Sequence, residues 1–387
     1  MKIYSEELKK IKDICEINPK QEILDDNFII SFVGMAQISN DNQFDTSILK
    51  KYEDVKKGFS SFKDGDILFA KITPCMENGK GVLIENLYNG IGFGSTEFHV
   101  LRPNIEVVDR KYLYWFTMYK KFRLNCEKNM TGSAGQKRVP KNYIENYEIK
   151  LPKLIIQEKR AKILDTILRI KKEKLEQIEK LEELSKCLFE VEFLNKSYYK
   201  YPLCECTTFI DYRGRTPQIS SEGTIQMINA KSVGKNNFKY IDEFVTEEIY
   251  NLCMTRGLGE AGDILFVTEG HTFGNVCIIP ENLKKFALGQ RVITIRGKKE
   301  QILNKYLCYY MQTEEFKKDI NMYKTGGTAQ GIRSKDLGKI LIPIPELKLQ
   351  NQFAERVKLI EKSKFEIQKS IEETQKLFDS LMEKYFG

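Results

Sequence analysis

Two stretches of the chain repeat apolar residues every three, four or seven positions. The first runs from Gln157 to about Asn195, with Leu164, Leu168, Leu175, Ile178, Leu181, Leu184 and Leu188 as its stripe. Lys171, Lys172, Glu173, Lys174, Glu176 and Glu179 fill the positions between. The second runs from Gln350 to about Phe386 on Phe353, Val357, Ile360, Phe365, Ile367, Ile371, Leu377, Phe378 and Leu381. This spacing predicts two amphipathic helices, each about 55 Å long at roughly 1.5 Å per residue. Helices of that length must cover their stripes, either by pairing in an antiparallel coiled coil or by lying separately along their own domains. Pairing is the expected arrangement.

The segments before each helix alternate short β-like runs with turn residues. FIISFV (Phe28 to Val33), DILFAKI (Asp66 to Ile72), GVLIENL (Gly81 to Leu87) and EFHVLRP (Glu97 to Pro103) precede the first helix. TIQMINA (Thr224 to Ala230), DILFVT (Asp263 to Thr268), NVCIIP (Asn275 to Pro280) and RVITIRG (Arg291 to Gly297) precede the second. Each set is followed by one aromatic, helix-like piece, Lys111 to Cys126 and Lys305 to Ile320. Tyr112, Leu113, Trp115 and Phe116 are expected to pack the first of these on its sheet.

The two halves are copies. GDILF at Gly65 to Phe69 returns at Gly262 to Phe266, and TGSAGQ at Thr131 to Gln136 returns as TGGTAQ at Thr325 to Gln330. Pro152, Gln157 and Ala161 return as Pro345, Gln350 and Ala354. Order and spacing are both kept, so the chain reads as a duplicated unit of a domain followed by a long helix. The expected fold class is α+β, with two tandem domains of mixed short strands and helices, separated by two long helices forming an antiparallel coiled coil. The boundaries are 1–153 for the first domain, 154–197 for the first long helix, 198–346 for the second domain and 347–387 for the second helix.

With 387 residues, 41% hydrophobic and 30% charged, the chain has enough apolar material for two or three cores and is too apolar to be disordered. No stretch approaches eighteen apolar residues, and MKIYSEELKKIKDICE lacks the apolar core of a signal peptide, so no membrane partner and a cytoplasmic location are expected. Nine cysteines without a framework spacing fit reduced thiols, and Cys204-Glu205-Cys206 lacks the spacing of a zinc knuckle. A net charge of +8 is compatible with a polyanionic partner, although part of it lies on helices where Lys and Glu alternate as a solvated face.

Several chemistries drop out. With only two histidines, His99 and His271, far apart in the chain, His-based metal clusters and a two-histidine zincin site drop out, and each sits beside strand-like sequence as a surface or core residue. Gly326 to Gly331 is followed by Ile332 and lacks the lysine of a phosphate loop. There is no G-x-G-x-x-G opening a helix and no Asn-Pro-Pro-aromatic sequence to hold a flipped adenine. No metal, cofactor or catalytic residue is expected in this chain.

What remains are duplicated loops rich in Gly, Thr, Ser, Gln, Lys and Arg. Their backbone N–H groups, hydroxyls and lysines suit phosphate oxygens, and Gln and Arg suit adenine and guanine edges. Hairpin or helix-capping loops that bind nothing are the other reading. The candidate DNA contacts in the first copy are Lys71, Thr73, Asn78, Lys80, Thr131, Ser133, Gln136, Lys137 and Arg138. In the second they are Arg213, Arg215, Thr268, His271, Thr272, Arg291, Thr325, Thr328, Gln330 and Arg333.

Over essentially its whole length the chain resembles the specificity subunit of a type I restriction-modification system. The marks are FAKITPCMENGKG after GDIL, FVGMAQIS at Phe32 to Ser39, DYRGRTP at Asp211 to Pro217, the two TG loops, and the P-x-x-x-x-Q start of both long helices. The resemblance implies two target-recognition domains, each reading half of a split DNA sequence in the major groove. It also implies two copies of an adenine methyltransferase subunit as partners, joined by up to two translocating endonuclease subunits. S-adenosylmethionine, ATP and Mg would then belong to those partners. Because the loops of the two copies differ, the half-sites are expected to be unlike. A stand-alone nuclease or methyltransferase, a coiled-coil adaptor that binds only protein, and the recognition part of a related fused or two-part restriction system are the competing readings.

Overall fold

The computed structural model describes residues 6–39, 43–133, 135–212, 216–324 and 330–387. The chain forms two compact units, residues 1–175 with 369–387 and residues 176–368.

In the first unit a four-stranded antiparallel sheet has the order Cys15–Ile17, Phe98–Pro103, Ile67–Ala70, Gly81–Leu83. A second has the order Leu49–Lys51, Ile29–Val33, Ile91–Gly94, Ser60–Lys63, and its central pair is parallel. Glu7–Lys10 pairs with Glu148–Leu151. The second unit repeats the plan. Its first sheet runs Thr207–Asp211, Val292–Gly297, Ile264–Val267, Val276–Ile278. Its second runs Phe244–Val245, Ile225–Ile228, Phe286–Leu288, again with one parallel pair, and Lys200–Pro202 pairs with Leu341–Pro343. All eight β-like runs contain strands.

The repeated GDIL phrase has a separate job for each residue. Gly65 and Gly262 take φ of +91° and +87°, a left-handed turn that only glycine adopts without strain. The next residues, Asp66 and Asp263, are buried. Arg102 donates to both oxygens of Asp66 at 2.9 and 2.7 Å, and Arg296 does the same to Asp263 at 2.8 and 2.7 Å. Each aspartate also accepts from a turn N–H, that of Lys63 or Glu260, at 2.8 Å. A buried carboxylate is tolerated only when so fully partnered. The Ile67–Ala70 and Ile264–Val267 strands that follow are buried throughout, as central strands covered on both faces must be.

The aromatic piece expected as one helix per copy is two. In the first unit the helices are Arg110–Met118 and Lys120–Lys128, divided at Tyr119, whose ψ of 125° leaves the helical region. Buried Arg123 stabilises the break by donating to the Thr117 carbonyl at 2.8 Å, one of the acceptors a helix end leaves orphaned. In the second unit the pair is Asn304–Tyr310 and Glu314–Met322, where the Thr313 hydroxyl caps the new helix by accepting from Phe316 N–H. Tyr112, Leu113, Trp115 and Phe116 are buried, as their pattern required.

The long helices span Leu154–Phe189, closed by a π-helical turn at Glu190–Leu194, and Leu347–Phe386. Within the first unit Lys171 Nζ donates to Gln375 at 2.6 Å, and Lys174 Nζ donates to Ser370 Oγ and Thr374 Oγ1 at 2.7 and 3.0 Å. Within the second, Lys364 donates to Glu182 at 2.6 Å, Arg356 pairs with Glu192, and the Phe189 and Phe353 rings lie 5.3 Å apart. Numbers rise along one helix as they fall along the other, so the pairing is an antiparallel coiled coil. Its seam differs from the expected stripe in places. Leu175, Leu184, Phe365 and Leu377 are exposed, while the stems of Lys171, Lys174 and Lys364 are half-buried and reach polar partners with their ammonium groups.

Candidate nucleic-acid interface

In the first unit the backbone joins the two candidate loops. After Ile67–Ala70 the chain enters the 71–80 loop, and the N–H of Thr73 donates to the Lys137 carbonyl at 3.1 Å. Val139 N–H donates to the Lys71 carbonyl at 2.9 Å, while Thr131 and Arg138 exchange backbone bonds of 2.9 and 2.8 Å. Lys71, Thr73, Thr131, Gln136, Lys137 and Arg138 are therefore brought together, with Ser133 in the same tight loop. Thr131, Ser133, Gln136, Lys137 and Asn78 are exposed. Lys80 is turned to the Met35 carbonyl at 2.9 Å, and the Thr73 hydroxyl bonds Glu77.

The second unit repeats these joints with other side chains. Ile332 N–H donates to the Thr268 carbonyl at 2.9 Å, and Gly270 N–H to the Gln330 carbonyl at 3.1 Å. Thr268, Arg291 and Gln330 are thus neighbours. His271 is exposed and Thr272 half-buried in the same loop, and exposed Arg333 begins the Ser334–Leu337 turn of helix. Thr268 is buried, its hydroxyl donating to the Arg291 carbonyl at 3.2 Å, so it presents no surface to a partner. Arg213, Arg215, Thr325 and Thr328 lie outside the described residues.

Two carboxylates that the sequence did not mark stand among these groups. Glu97 accepts from Arg138 Nε and Nη2, both at 2.8 Å, and Glu269 accepts from Arg291 Nε at 3.1 Å. Their roles depend on partners 41 and 22 positions away, which no local pattern reveals. Arg138 holds the Glu97 carboxyl below the usual range. Partial burial, opposed by Glu97 and aided by Arg138, lowers the Lys71 ammonium.

His99 is a core residue. Its Nε2 donates to the Val139 carbonyl at 2.8 Å and its Nδ1 accepts from Asn18 at 3.2 Å. Burial pushes its pKa down to about 4. The copies also differ behind the loops. The first has ten residues between its strands, Lys71–Lys80, and the second has eight, Thr268–Asn275. In the longer loop Met76 is fully buried and its carbonyl accepts from Arg123 at 2.8 Å. The fourth residue of the matching helix in the second unit is Lys317. It lines an open cleft of about 1110 Å³ with Phe273, Gln312 and Lys324.

The profile described as "Type I restriction modification DNA specificity domain" matches residues 6–180 and 208–376, one copy in each half. The chain is 49% identical over 149 residues to the Escherichia coli type I restriction enzyme EcoAI specificity subunit, covering 38% of this chain. The chain spans 25% of the length of that relative. A solved chain from work on complex assembly and conformational transition of the type I R-M system superposes with a TM-score of 0.66 at 16% identity, covering 98% of this chain and 97% of that one. The type I restriction-modification S subunit from M. genitalium superposes at 0.58 and 16% identity, with coverages of 100% and 97%. These superpositions share the fold described above, and with both halves matched the chain belongs to the family of type I restriction modification DNA specificity domains.

Proposed function

We propose that this chain is the non-catalytic DNA-reading subunit of a type I restriction-modification complex. Each copy reads one half of a bipartite site in the major groove of double-stranded DNA. The observation that carries the reading is a pair of loops tied by the same backbone joints in both copies and dressed with different side chains. Lys71, Thr131, Ser133, Gln136 and Lys137 in the first copy, and His271, Thr272, Gln330 and Arg333 in the second, offer unlike sets of donors and acceptors, with Arg138 and Arg291 held beside them. Arg213, Arg215, Thr325 and Thr328 belong to the same reading. Two readers with unlike chemistry specify an asymmetric site.

Two copies of an adenine methyltransferase and up to two endonuclease/translocase subunits complete the assembly in the cytoplasm. S-adenosylmethionine, ATP and Mg belong to those partners. The exposed Leu184, Leu359, Phe365 and Leu377 of the long helices support a protein partner there. The test is selection from a random duplex pool by the purified full chain with a methyltransferase subunit. Enrichment of two unlike half-sites at fixed spacing is expected. A palindrome would contradict the asymmetric reading, and no enrichment would contradict DNA reading itself.

A further inference from the structure

The ion pairs beside the loops carry opposite polarity at one shared position. Lys71 N–H donates to the Glu97 carbonyl at 2.9 Å, and Thr268 N–H donates to the Arg291 carbonyl at 3.0 Å. Glu97 and Arg291 each stand one residue before an equivalent strand, Phe98–Pro103 or Val292–Gly297. They are the same place in the two copies, occupied by an acid in one and a base in the other. Their partners are opposite in sign and come from different loops. Glu97 is met by Arg138 of the TG loop, and Arg291 by Glu269 of the loop after the central strand. What recurs is an ion pair at the start of the strand, closed from the TG loop in one copy and from the loop after the central strand in the other.

We propose that Glu97–Arg138 and Arg291–Glu269 are latches built on one shared strand start that fix the geometry of the two reading surfaces, so that Arg138 and Arg291 are positioning residues rather than base contacts. This rests on the proposed DNA reading. In the first copy the latch joins the start of the Phe98–Pro103 strand to the TG loop, whose backbone in turn carries Thr73 and Lys71. Nε and Nη2 of Arg138 face one carboxylate, a forked geometry that fixes orientation as well as distance, while Nη1 donates to the Gln136 carbonyl of the same loop at 3.0 Å. In the second copy the latch joins the same strand start to the loop that bonds Gln330. All four side chains are partly exposed, between 27% and 56%, so the pairs contribute little to global stability and a variant is expected to fold.

The alternative is direct contact, with Glu97 only screening an arginine that reaches DNA. The two differ in sign for Glu97→Gln. Freeing a screened arginine strengthens binding, whereas opening a latch weakens it. The experiment compares Glu97→Gln, Arg138→Gln and the charge swap Glu97→Arg/Arg138→Glu in the full chain. Hydrogen exchange is read at the amides of Thr73, Thr131 and Val139, and affinity with a fluorescein-labelled duplex of the site recovered by selection. Each single variant is expected to speed exchange and lose about three- to tenfold in affinity, relaxing one half-site while the other stays intact. The swap is expected to recover most of both. Tighter binding by Glu97→Gln with unchanged exchange, or a swap that recovers nothing, overturns the latch. If the unaltered chain selects no DNA site, the proposed function fails. The exchange data still decide whether the pair holds the loops.

Discussion

His99 and Ile293 occupy the same position of the same strand in the two copies, opposite Phe69 and Phe266, and only His99 can take up a proton. Burial lowers its pKa from 6.5 to about 4. Between those values the unfolded chain binds a proton that the folded unit refuses. Stability of the first unit therefore falls as pH drops from 6.5 toward 4, by about 3 kcal/mol in all, and this group contributes no slope above 6.5. Trp115, the single tryptophan, is buried in that unit and donates to Asp165 at 2.9 Å, so its fluorescence follows this unfolding. Urea titrations at pH 7 and pH 4.5 should show the loss, and His99→Gln should flatten it. An unchanged slope in that variant would place the acid sensitivity elsewhere. That His99 lies on a strand is legible from EFHVLRP, but the sequence leaves open whether it faces core or surface, and its Val139 and Asn18 partners place it in the core. Arg123 is not legible, because KKFRLNC reads as a basic helix face. Its burial depends on Met76, 47 positions away, and on a helix break at Tyr119 that no Gly or Pro announces.

The two long helices begin on a motif whose purpose appears only in three dimensions. Gln157 is buried, accepts from Asp109 N–H at 2.9 Å, and donates to the carbonyls of Pro152 at 2.8 Å and Val107 at 3.1 Å. Gln350 makes the matching set with Leu303 N–H, Pro345 and Gln301 at 2.8, 2.8 and 3.1 Å. Each side-chain amide thus ties the start of a long helix to the residues that begin the aromatic helix of its own unit. Gln157→Leu keeps the volume but strands one donor and two acceptors, and should cost about 2–4 kcal/mol, as should Gln350→Leu in the other unit. Thermal unfolding measures both, and a loss below about 1 kcal/mol would mean that water replaces the amide. The P-x-x-x-x-Q spacing was visible in the sequence, as were both helices to within a turn. The seam was less so, since Leu175 and Lys174 are adjacent and periodicity alone favours the leucine. The structure seats Lys174 because Ser370 and Thr374 receive its ammonium.

At the scale of the molecule, duplication explains what is shared and what differs. Gly65 and Gly262, Asp66 and Asp263, and Gln157 and Gln350 recur because turn geometry and buried hydrogen bonds admit few substitutes. Among the described residues the backbone joints between the loops recur while their side chains diverge, as surfaces reading different sequences would. That divergence was legible as composition but not as geometry, because the Glu97 and Glu269 pairs form between segments distant in the chain. The most direct test of the central claim is single-molecule sequencing of adenine methylation in cells carrying a partner methyltransferase with and without this chain. A bipartite motif with two unlike halves and one fixed spacer, present only with the chain, is expected. Active methylation that is identical in its presence and absence would contradict it.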